Sequence, residues 1–351
     1  MINRRNTKKI QIGDVTIGGG APISVQSMCN TDTRDVKSTL NQIQQLSDSG
    51  CEIIRLAVLN KDAGDSIKEI IKKSPIPVVA DIHFDYRLAI QCINNGINAL
   101  RLNPGNIGKR ENVEQVVKLA KQQQIPIRIG VNAGSLEKEL LEENIPLSEK
   151  MVKSALKHIQ ILEDLDFDLI KVSLKSSDVL TTIEAYRSIS EKIPYPLHIG
   201  VTEAGTLISG ITKSAVGLGT LLSEGIGDTI RVSLTENPVE EINAGYEILK
   251  CLGLRSRGVN FVSCPTCGRT QIDLISLAKQ VEERFRYLNK PITIATMGCA
   301  VNGPGEARHA DFGIAGGIKE GYIFKKGEII ARVPESQLIE KLEEIITKSF
   351  K

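Results

Sequence analysis

Hydrophobic and polar positions follow one repeating pattern over about the first 250 residues of the chain. A short run of β-branched and other apolar residues is followed by a polar turn and then by a stretch of helical length. In these stretches apolar residues recur three or four positions apart, as Leu156, Ile159 and Leu162 do. Strands that alternate with such helices predict βαβ units and a parallel sheet. The strand candidates are residues 23–28, 53–58, 78–83, 99–103, 127–132, 169–174, 197–202 and 229–235, and helix candidates include residues 36–49, 63–73, 112–123, 148–164 and 179–191.

The number of repeats separates two parallel-sheet folds. Eight strand–helix units in this length predict a (β/α)8 TIM barrel, of the α/β class, over residues 1–254. A doubly wound open sheet is the alternative, and it is less favoured because no GxGxxG motif follows the first strand.

The pattern changes after a short polar connector at residues 251–260. A CxxC turn comes next, and helix and strand candidates then alternate irregularly up to a final helix. This arrangement predicts a small α+β domain over residues 255–351. Its elements are a helix at 273–288, a strand at 292–298, a glycine-rich loop, a strand at 312–318, a hairpin around 324–328 and a helix at 335–348.

Five of the predicted barrel strands carry a basic residue followed, two positions later, by a small or polar one. Residues two apart share a face of a strand, and in a barrel this face points inward, towards the rim where active sites form. A single strand arginine is most often salt-bridged or outward-facing, but five at equivalent positions, with Asp81 as the chief acid, call for an anionic ligand. The pattern therefore predicts a phosphate or diphosphate substrate in the barrel mouth. The sets are Arg55 and Ala57; Arg101 and Asn103; Arg128, Gly130 and Asn132; Lys171, Ser173 and Lys175; and Arg231, Ser233 and Thr235.

Candidate proton donors lie close to the same rim. Glu203 comes just after the seventh strand, which is a suitable place for a general acid; a helix cap or a solvated loop carboxylate is the alternative. His83 and His198 fall inside strand runs and belong to the same polar layer.

Three of the seven cysteines form a C-x2-C-x31-C pattern: Cys264, Cys267 and Cys299. Two thiolates one turn apart bind a metal centre in zinc sites and in iron–sulfur sites alike, so both remain open. Glu306 and His309 are the nearest further ligands to the glycine-rich loop. The other cysteines are assigned to packing or to a helix end; they are Cys29, Cys51, Cys92 and Cys251.

Charge and hydropathy limit the classes of partner. A formal net charge of +2 argues against a protein that coats nucleic acid nonspecifically. No run of about 20 apolar residues is present, and the first ten residues lack the apolar stretch of a signal peptide. We expect a cytoplasmic protein with neither a nucleic-acid nor a membrane partner.

Several long motifs resemble those of the bacterial 4-hydroxy-3-methylbut-2-enyl diphosphate synthase family. They include CPTCGRT at 264–270, MGCAVNGPGEARHADFGIAGG at 297–317, LRLNPGNIG at 100–108, HIGVTEAG at 198–205 and IRVSLTENP at 230–238. The likeness covers nearly the whole chain in the shorter, two-domain form of the family. One departure is Cys29, where the family more often has threonine.

The resemblance implies a reaction and a cofactor. It implies reductive ring opening and dehydroxylation of 2-C-methyl-D-erythritol 2,4-cyclodiphosphate to 4-hydroxy-3-methylbut-2-enyl diphosphate, in the non-mevalonate isoprenoid pathway, with flavodoxin or ferredoxin as electron donor. Glu203 would protonate the departing hydroxyl. A [4Fe–4S] cluster would be ligated by Cys264, Cys267, Cys299 and Glu306, and the substrate would be bound by Arg55, Arg101, Arg128, Asn132, Lys175, Arg231 and Ser233.

The residues leave two other functions open. A barrel transferase of a phosphorylated substrate with a structural metal domain is the alternative enzyme, and a zinc or RNA-binding module fused to a barrel is the non-enzymatic one.

The last barrel helix, at about 238–250, returns to the face opposite the rim, and only 14 residue steps lead from Lys250 to Cys264. We therefore expect a head-to-tail homodimer in which each barrel mouth is capped by the partner's cluster domain.

Overall fold

The computed structural model describes residues 2–299, 307–317 and 320–350. The chain divides into two compact units, Met1–Arg255 and Ser256–Lys351. Each unit has a buried hydrophobic core of its own. Within the described residues, no helix is long and apolar enough to cross a membrane.

A hairpin that the sequence pattern did not predict precedes the barrel. It consists of β1 (Ile10–Ile12) and β2 (Val15–Ile17), paired antiparallel. Its isoleucines pack against residues at the beginnings of three barrel strands, so the hairpin closes the end of the barrel opposite the C-terminal rim. The buried cluster comprises Ile10, Ile12, Ile17, Ile53, Val79 and Ala99.

All eight predicted barrel strands are present. They are β3 (Ser24–Met28), β4 (Ile53–Ala57), β5 (Val78–Asp81), β6 (Ala99–Arg101), β7 (Ile127–Asn132), β8 (Ile170–Lys175), β9 (His198–Ile199) and β10 (Thr229–Ile230). They form one parallel sheet in the order β8-β7-β6-β5-β4-β3-β10-β9. The two ends of this sheet, β8 and β9, meet at a single parallel bridge between Val172 and Leu197, which closes the ring. The predicted TIM barrel is confirmed.

Helices follow the strands and cover the outside of the barrel. The five helix candidates form within two residues of their predicted ends. Asp or Asn side chains accept hydrogen bonds from first-turn amides at the start of several helices, which stabilises the turn that follows each strand. The helices are α1 (Val36–Asp48), α2 (Lys61–Lys73), α3 (Tyr86–Asn94), α4 (Arg110–Gln122), α5 (Lys138–Glu142), α6 (Leu147–Glu163), α7 (Val179–Lys192), α8 (Leu207–Ser223) and α9 (Pro238–Cys251).

The second unit is the small α+β domain that the pattern predicted. Its sheet has the order β11-β12-β13-β14-β15, parallel over the first three strands and antiparallel over the last two. Two helices pack against the sheet around a second apolar core. The elements are β11 (Asn260–Ser263), α10 (Leu274–Phe285), β12 (Thr293–Met297), β13 (Phe312–Gly316), β14 (Gly321–Lys325), β15 (Glu328–Val333) and α11 (Leu338–Ser349).

Candidate active site in the barrel mouth and candidate cluster site

The basic residues predicted on the strands converge inside the barrel. Arg101, Arg128 and Lys175 are buried, and Arg55 and Arg231 are half-buried. They are close enough for their charges to interact. Burial, followed by the charges of Arg55 and Arg101, lowers the pKa of Arg128 well below its ordinary value. Burial, followed by Arg128, Arg231 and Arg55, lowers the pKa of Lys175 in the same way. The two-residue periodicity therefore located a real cluster of cations.

Asp81 is the acid at the centre of this cluster, as the sequence indicated. Its Oδ1 lies 3.2 Å from Arg101 Nη1, and its Oδ2 lies 3.6 Å from both Arg55 Nε and His83 Nε2. Burial alone would raise the pKa of Asp81, but the nearby His83 and the charges of Arg55 and Arg101 lower it overall. Asp81 therefore stays ionised and fixes two of the guanidinium groups.

A second acid, which the strand pattern missed, lies on helix α9. Glu241 Oε2 is 3.5 Å from Arg231 Nε and accepts a hydrogen bond from Ser27 Oγ at 2.8 Å. Its Oε1 accepts from the backbone N–H of Leu234 at 3.1 Å. Nothing in the sequence separates this carboxylate from the other acids that commonly begin a helix, so only the tertiary structure identifies it.

Met28 lies between two of the arginines. Its Sδ accepts from Arg55 Nε and Nη2 at 3.0 and 2.8 Å, and Arg231 Nη1 lies 3.7 Å away. A thioether is a weak acceptor, so both guanidinium groups keep most of their capacity to bind a stronger one. No signal in the sequence indicates this role, because a methionine in a strand is normally a packing residue.

Positive charge exceeds negative charge among these groups. Asp81 and Glu241 face the five cations already named, and burial together with the neighbouring cations lowers the pKa of Arg55 to about 9. Within the described part of the chain several buried donor atoms have no hydrogen-bond partner. Buried cationic donors whose hydrogen-bonding capacity is not used up indicate a site built for an anion with several oxygens. These atoms are Arg101 Nε, Arg128 Nε, Arg231 Nε and Lys171 Nζ.

Two glycines make room for the cations. A Cβ at Gly130 would lie 2.6 Å from Arg101 Nε, and a Cβ at Gly200 would lie 2.7 Å from Lys175 Nζ. Both distances are far below van der Waals contact, so any side chain at either position would displace a cation. These glycines belong to the same strand faces as the cations they accommodate.

The remaining predicted barrel residues lie nearer the rim. Asn132 ends strand β7 and Ser233 follows strand β10, and both are half-buried. Glu203 follows strand β9, is exposed, and has a φ of +52°, a conformation that is strained for a residue with a side chain. No hydrogen bond or ion pair joins its carboxylate to the cations in the described structure.

In the second unit, Cys264 and Cys299 follow two adjacent parallel strands. Ser263 pairs with Thr296, so the two cysteines come at the same edge of the sheet. The N–H of Gly298 donates to Cys264 Sγ at 3.1 Å. Cys267 is exposed, and the backbone N–H of Arg269 is the main cause that lowers its pKa. Glu306 lies outside the described residues.

One contact of these thiols is of a kind found around metal clusters. An amide N–H directed at a sulfur, as that of Gly298 is directed at Cys264, is typical of the surroundings of iron–sulfur clusters. Among residues 2–299, 307–317 and 320–350, no group of three Cys, His, Asp or Glu side chains could hold a metal ion.

The other cysteines have a different character. Burial raises the pKa of Cys29, Cys51 and Cys92 to about 12 each, so these thiols stay protonated and unreactive. Cys251 is exposed at the end of helix α9.

Comparison with known proteins agrees with this arrangement. A model of the GcpE TIM-barrel domain matches residues 7–246, and a model of the GcpE protein C-terminal domain matches residues 260–348. The chain belongs to the GcpE family. The family that the motifs predicted is thereby confirmed.

Relatives of this GcpE-family chain match it over nearly its full length. The 4-hydroxy-3-methylbut-2-en-1-yl diphosphate synthase (flavodoxin) of Clostridium perfringens is 60% identical over 346 residues, which are 98% of this chain and 99% of that protein. The protein of the same name from Geobacter sulfurreducens is 58% identical over 340 residues, 97% of this chain and 96% of that one.

A solved structure resembles part of this GcpE-family chain in fold. The dihydropteroate synthase of Yersinia pestis has a TM-score of 0.51 and 11% identity, and the match covers 70% of this chain and 97% of that one. A likeness this distant shows the fold alone.

Proposed function

We propose that this GcpE-family protein converts 2-C-methyl-D-erythritol 2,4-cyclodiphosphate into 4-hydroxy-3-methylbut-2-enyl diphosphate, a step of the non-mevalonate isoprenoid pathway. The observation that carries the proposal is the identity of 60% and 58%, over almost the whole chain, to enzymes of that name. The reaction adds two electrons and a proton, opens the cyclic diphosphate and releases the C3 hydroxyl as water. An oxidoreductase is favoured over the barrel transferase, because the transferase-like neighbours share only the fold.

The barrel cations supply substrate binding in this proposal, which assigns residues 1–254 to the substrate. The diphosphate gains negative charge as the ring opens, and cations fixed before the reaction stabilise that charge without having to reorganise. Asn132 and Ser233 add neutral hydrogen bonds near the rim, and Glu203 gives its proton to the departing hydroxyl. The ligands of the diphosphate are Arg55, Arg101, Arg128, Lys175 and Arg231.

We assign the cofactor to residues 255–351. Cys264, Cys267 and Cys299 would hold a [4Fe–4S] cluster, with Glu306 as the fourth ligand. When bound, the cluster supplies the electrons for the reduction. The thiol donor set, the Gly298 N–H at the Cys264 sulfur and the lowered pKa of Cys267 support this assignment.

The electron donor is an external protein. The names of both bacterial relatives specify flavodoxin, so we propose flavodoxin, with ferredoxin as the second candidate.

We propose a head-to-tail homodimer in which the partner's cluster domain covers the barrel mouth. Support comes from the barrel unit itself. Large apolar side chains are exposed in the segments that follow several barrel strands, and therefore at the C-terminal rim. An apolar surface of this kind around a polar site is typical of a covered face. The residues are Leu59, Phe84, Leu141, Leu180, Leu207 and Ile208.

The decisive experiment is anaerobic purification followed by an assay with the cyclodiphosphate and a chemical reductant. We expect a brown protein that forms the product only when reductant is present. Cys267→Ser should lose the visible absorbance and the activity. Cys251→Ser, which changes an exposed cysteine outside the cluster motifs, is the matched control and should keep both.

A colourless, zinc-containing protein would contradict the redox assignment, and so would turnover without reductant. Either result would favour the transferase with a structural metal.

A further inference from the structure

Strands β8 and β9 and the residues that follow them are joined on both sides of one interruption. The N–H of Val172 donates to the carbonyl of Pro196 at 3.0 Å, and further along the N–H of Thr202 donates to the carbonyl of Ser176 at 3.2 Å. In this register the next ladder bond would run from the N–H of Leu174 to the carbonyl of His198. That bond is replaced by a side chain.

The hydroxyl of Tyr186 lies between these two backbone groups. It accepts from the N–H of Leu174 at 3.0 Å and donates to the carbonyl of His198 at 2.6 Å. Tyr186 belongs to helix α7 and is fully buried. The two strands are therefore held apart by the width of one hydroxyl, at the level of Lys175.

The imidazole of His198 contacts Lys175 across this gap. His198 Nε2 is 3.3 Å from Lys175 Nζ, and His198 Nδ1 is 2.6 Å from Thr229 Oγ1. The histidine is fully buried. It thus connects Lys175 of strand β8 with Thr229 of strand β10.

The donor and acceptor roles follow from the chemistry of the groups. A charged ammonium can only donate, so Nε2 must accept from Lys175 and the proton must reside on Nδ1, which donates to Thr229. This requires a neutral ring. Burial, followed by the charge of Lys175, lowers the pKa of His198 well below its ordinary value, which keeps the ring neutral.

Lys175 needs such an acceptor because its surroundings repel it. Arg128, Arg231 and Arg55 all act against its charge, and Glu241 acts in favour. Without a fixed partner, the ammonium group would be pushed away from the other cations.

We propose that His198 is a positioning residue for Lys175, and that the Tyr186 hydroxyl holds open the gap between strands β8 and β9 in which the two side chains meet. The inference rests on the proposed function only in naming the diphosphate as the ligand that Lys175 binds. His198 and Tyr186 themselves do not touch the ligand.

The test is a set of double-mutant cycles with pyrophosphate binding as the readout, measured by calorimetry on the full-length protein. His198→Gln keeps an acceptor at the reach of Nε2, and we expect its Kd to stay within about threefold of the wild type. His198→Asn keeps the contact to Thr229 but does not reach Lys175, and its Kd should rise about tenfold. In a Lys175→Met background, His198→Asn should change the Kd by less than about twofold.

Tyr186→Phe should behave as His198→Asn does, because the gap loses the hydroxyl that spaces the strands. Tyr195→Phe is the matched control. Tyr195 is also buried, and its hydroxyl donates to Glu163 Oε1 at 2.7 Å, away from this gap. Its loss should leave the Kd unchanged.

Equal weakening by His198→Asn in the wild-type background and in the Lys175→Met background would overturn the proposal, and so would weak binding by both His198 variants. If Tyr186→Phe fails to fold, the two histidine variants still decide the question. Turnover of the cyclodiphosphate is measured separately. A protein whose pyrophosphate affinity depends on His198 only when Lys175 is present, but which does not reduce the cyclodiphosphate, would refute the proposed function and leave this inference standing.

Discussion

Arg128 illustrates at the scale of one residue how an anion site weakens the protein that carries it. Its side chain is 3% exposed, its Nε has no hydrogen-bond partner in the described structure, and burial lowers its pKa well below the ordinary value. A cation in this state costs free energy in the ligand-free protein and recovers it when an anion binds.

We therefore expect Arg128→Met to raise the thermal stability of the ligand-free protein by about 2 °C or more. The same variant should bind the cyclodiphosphate about ten- to a hundredfold more weakly, because one charge-assisted contact is worth roughly 1.5–3 kcal/mol. Arg187→Met is the matched control, since Arg187 is exposed and paired with Glu224 outside the barrel. A less stable Arg128→Met protein with normal binding would show that the arginine is structural.

Lys175 predicts how binding depends on pH. In the ligand-free protein, burial and the neighbouring arginines lower the pKa of Lys175 well below its ordinary value of 10.5. A bound anion raises this pKa again. Above the free-state pKa, binding must take up a proton, so affinity falls as pH rises, by up to about tenfold per pH unit for one proton.

Calorimetry with the cyclodiphosphate, as pH is raised towards the ordinary lysine pKa of 10.5, should show this decline, and Lys175→Met should flatten it. Lys171→Met is the comparison variant, because Lys171 is equally buried and its pKa is also lowered. If affinity depends on pH in the same way in Lys175→Met, the proton taken up on binding belongs to another group.

At the scale of elements, the β1–β2 hairpin and the rim have separate tasks. The hairpin isoleucines cover the beginnings of the strands, whereas the cations lie towards their C-terminal ends. A substitution in the hairpin core should therefore lower the stability of the protein without weakening diphosphate binding at the rim.

Ile12→Ala tests this separation. Ile12 is fully buried, so truncating it should lower the free energy of unfolding by about 2–4 kcal/mol, through lost apolar contact and the cavity left behind. Ile329→Ala, at a strand residue whose side chain is 44% exposed, should change little. Denaturant titrations measure the effect, and diphosphate affinity should stay unchanged in both variants. A large loss of affinity in Ile12→Ala would mean that the two ends are coupled.

The elements also indicate what the sequence could predict. Strands were found because an apolar run bounded by turns is visible locally, and the cations were found because a period of two places them on one face. The hairpin was missed because it precedes the repeating strand–helix units on which the strand prediction depended. Met28, Glu241 and Tyr186 were missed because their roles depend on partners far away in the sequence.

For the whole molecule, the open question is which chain supplies each half of an active site. Two family models match two separate stretches, and the described structure falls into two compact units. The proposed substrate ligands all lie in the first unit, and the proposed cluster cysteines all lie in the second. One inactivating change can therefore be placed in each unit without touching the other.

Mixing an Arg128→Met chain with a Cys299→Ser chain distinguishes the two assemblies. If the halves come from different chains, each heterodimer has one site with an intact barrel and an intact cluster domain. Random exchange should then restore about a quarter of wild-type activity, since half of the dimers are mixed and each has one working site.

The matched control places both changes in one chain and mixes it with the wild type. When sites are shared between chains, each mixed dimer has two defective sites, so wild-type activity should fall to about half. When each chain forms its own site, the wild-type chains keep their full activity and the first mixture recovers nothing. Differently tagged chains, co-purified after mixing, establish that exchange has taken place. If activity recovers in the first mixture and falls in the second, the active site is built from two chains. If the first mixture stays inactive and the second keeps full wild-type activity, each cluster serves the barrel of its own chain.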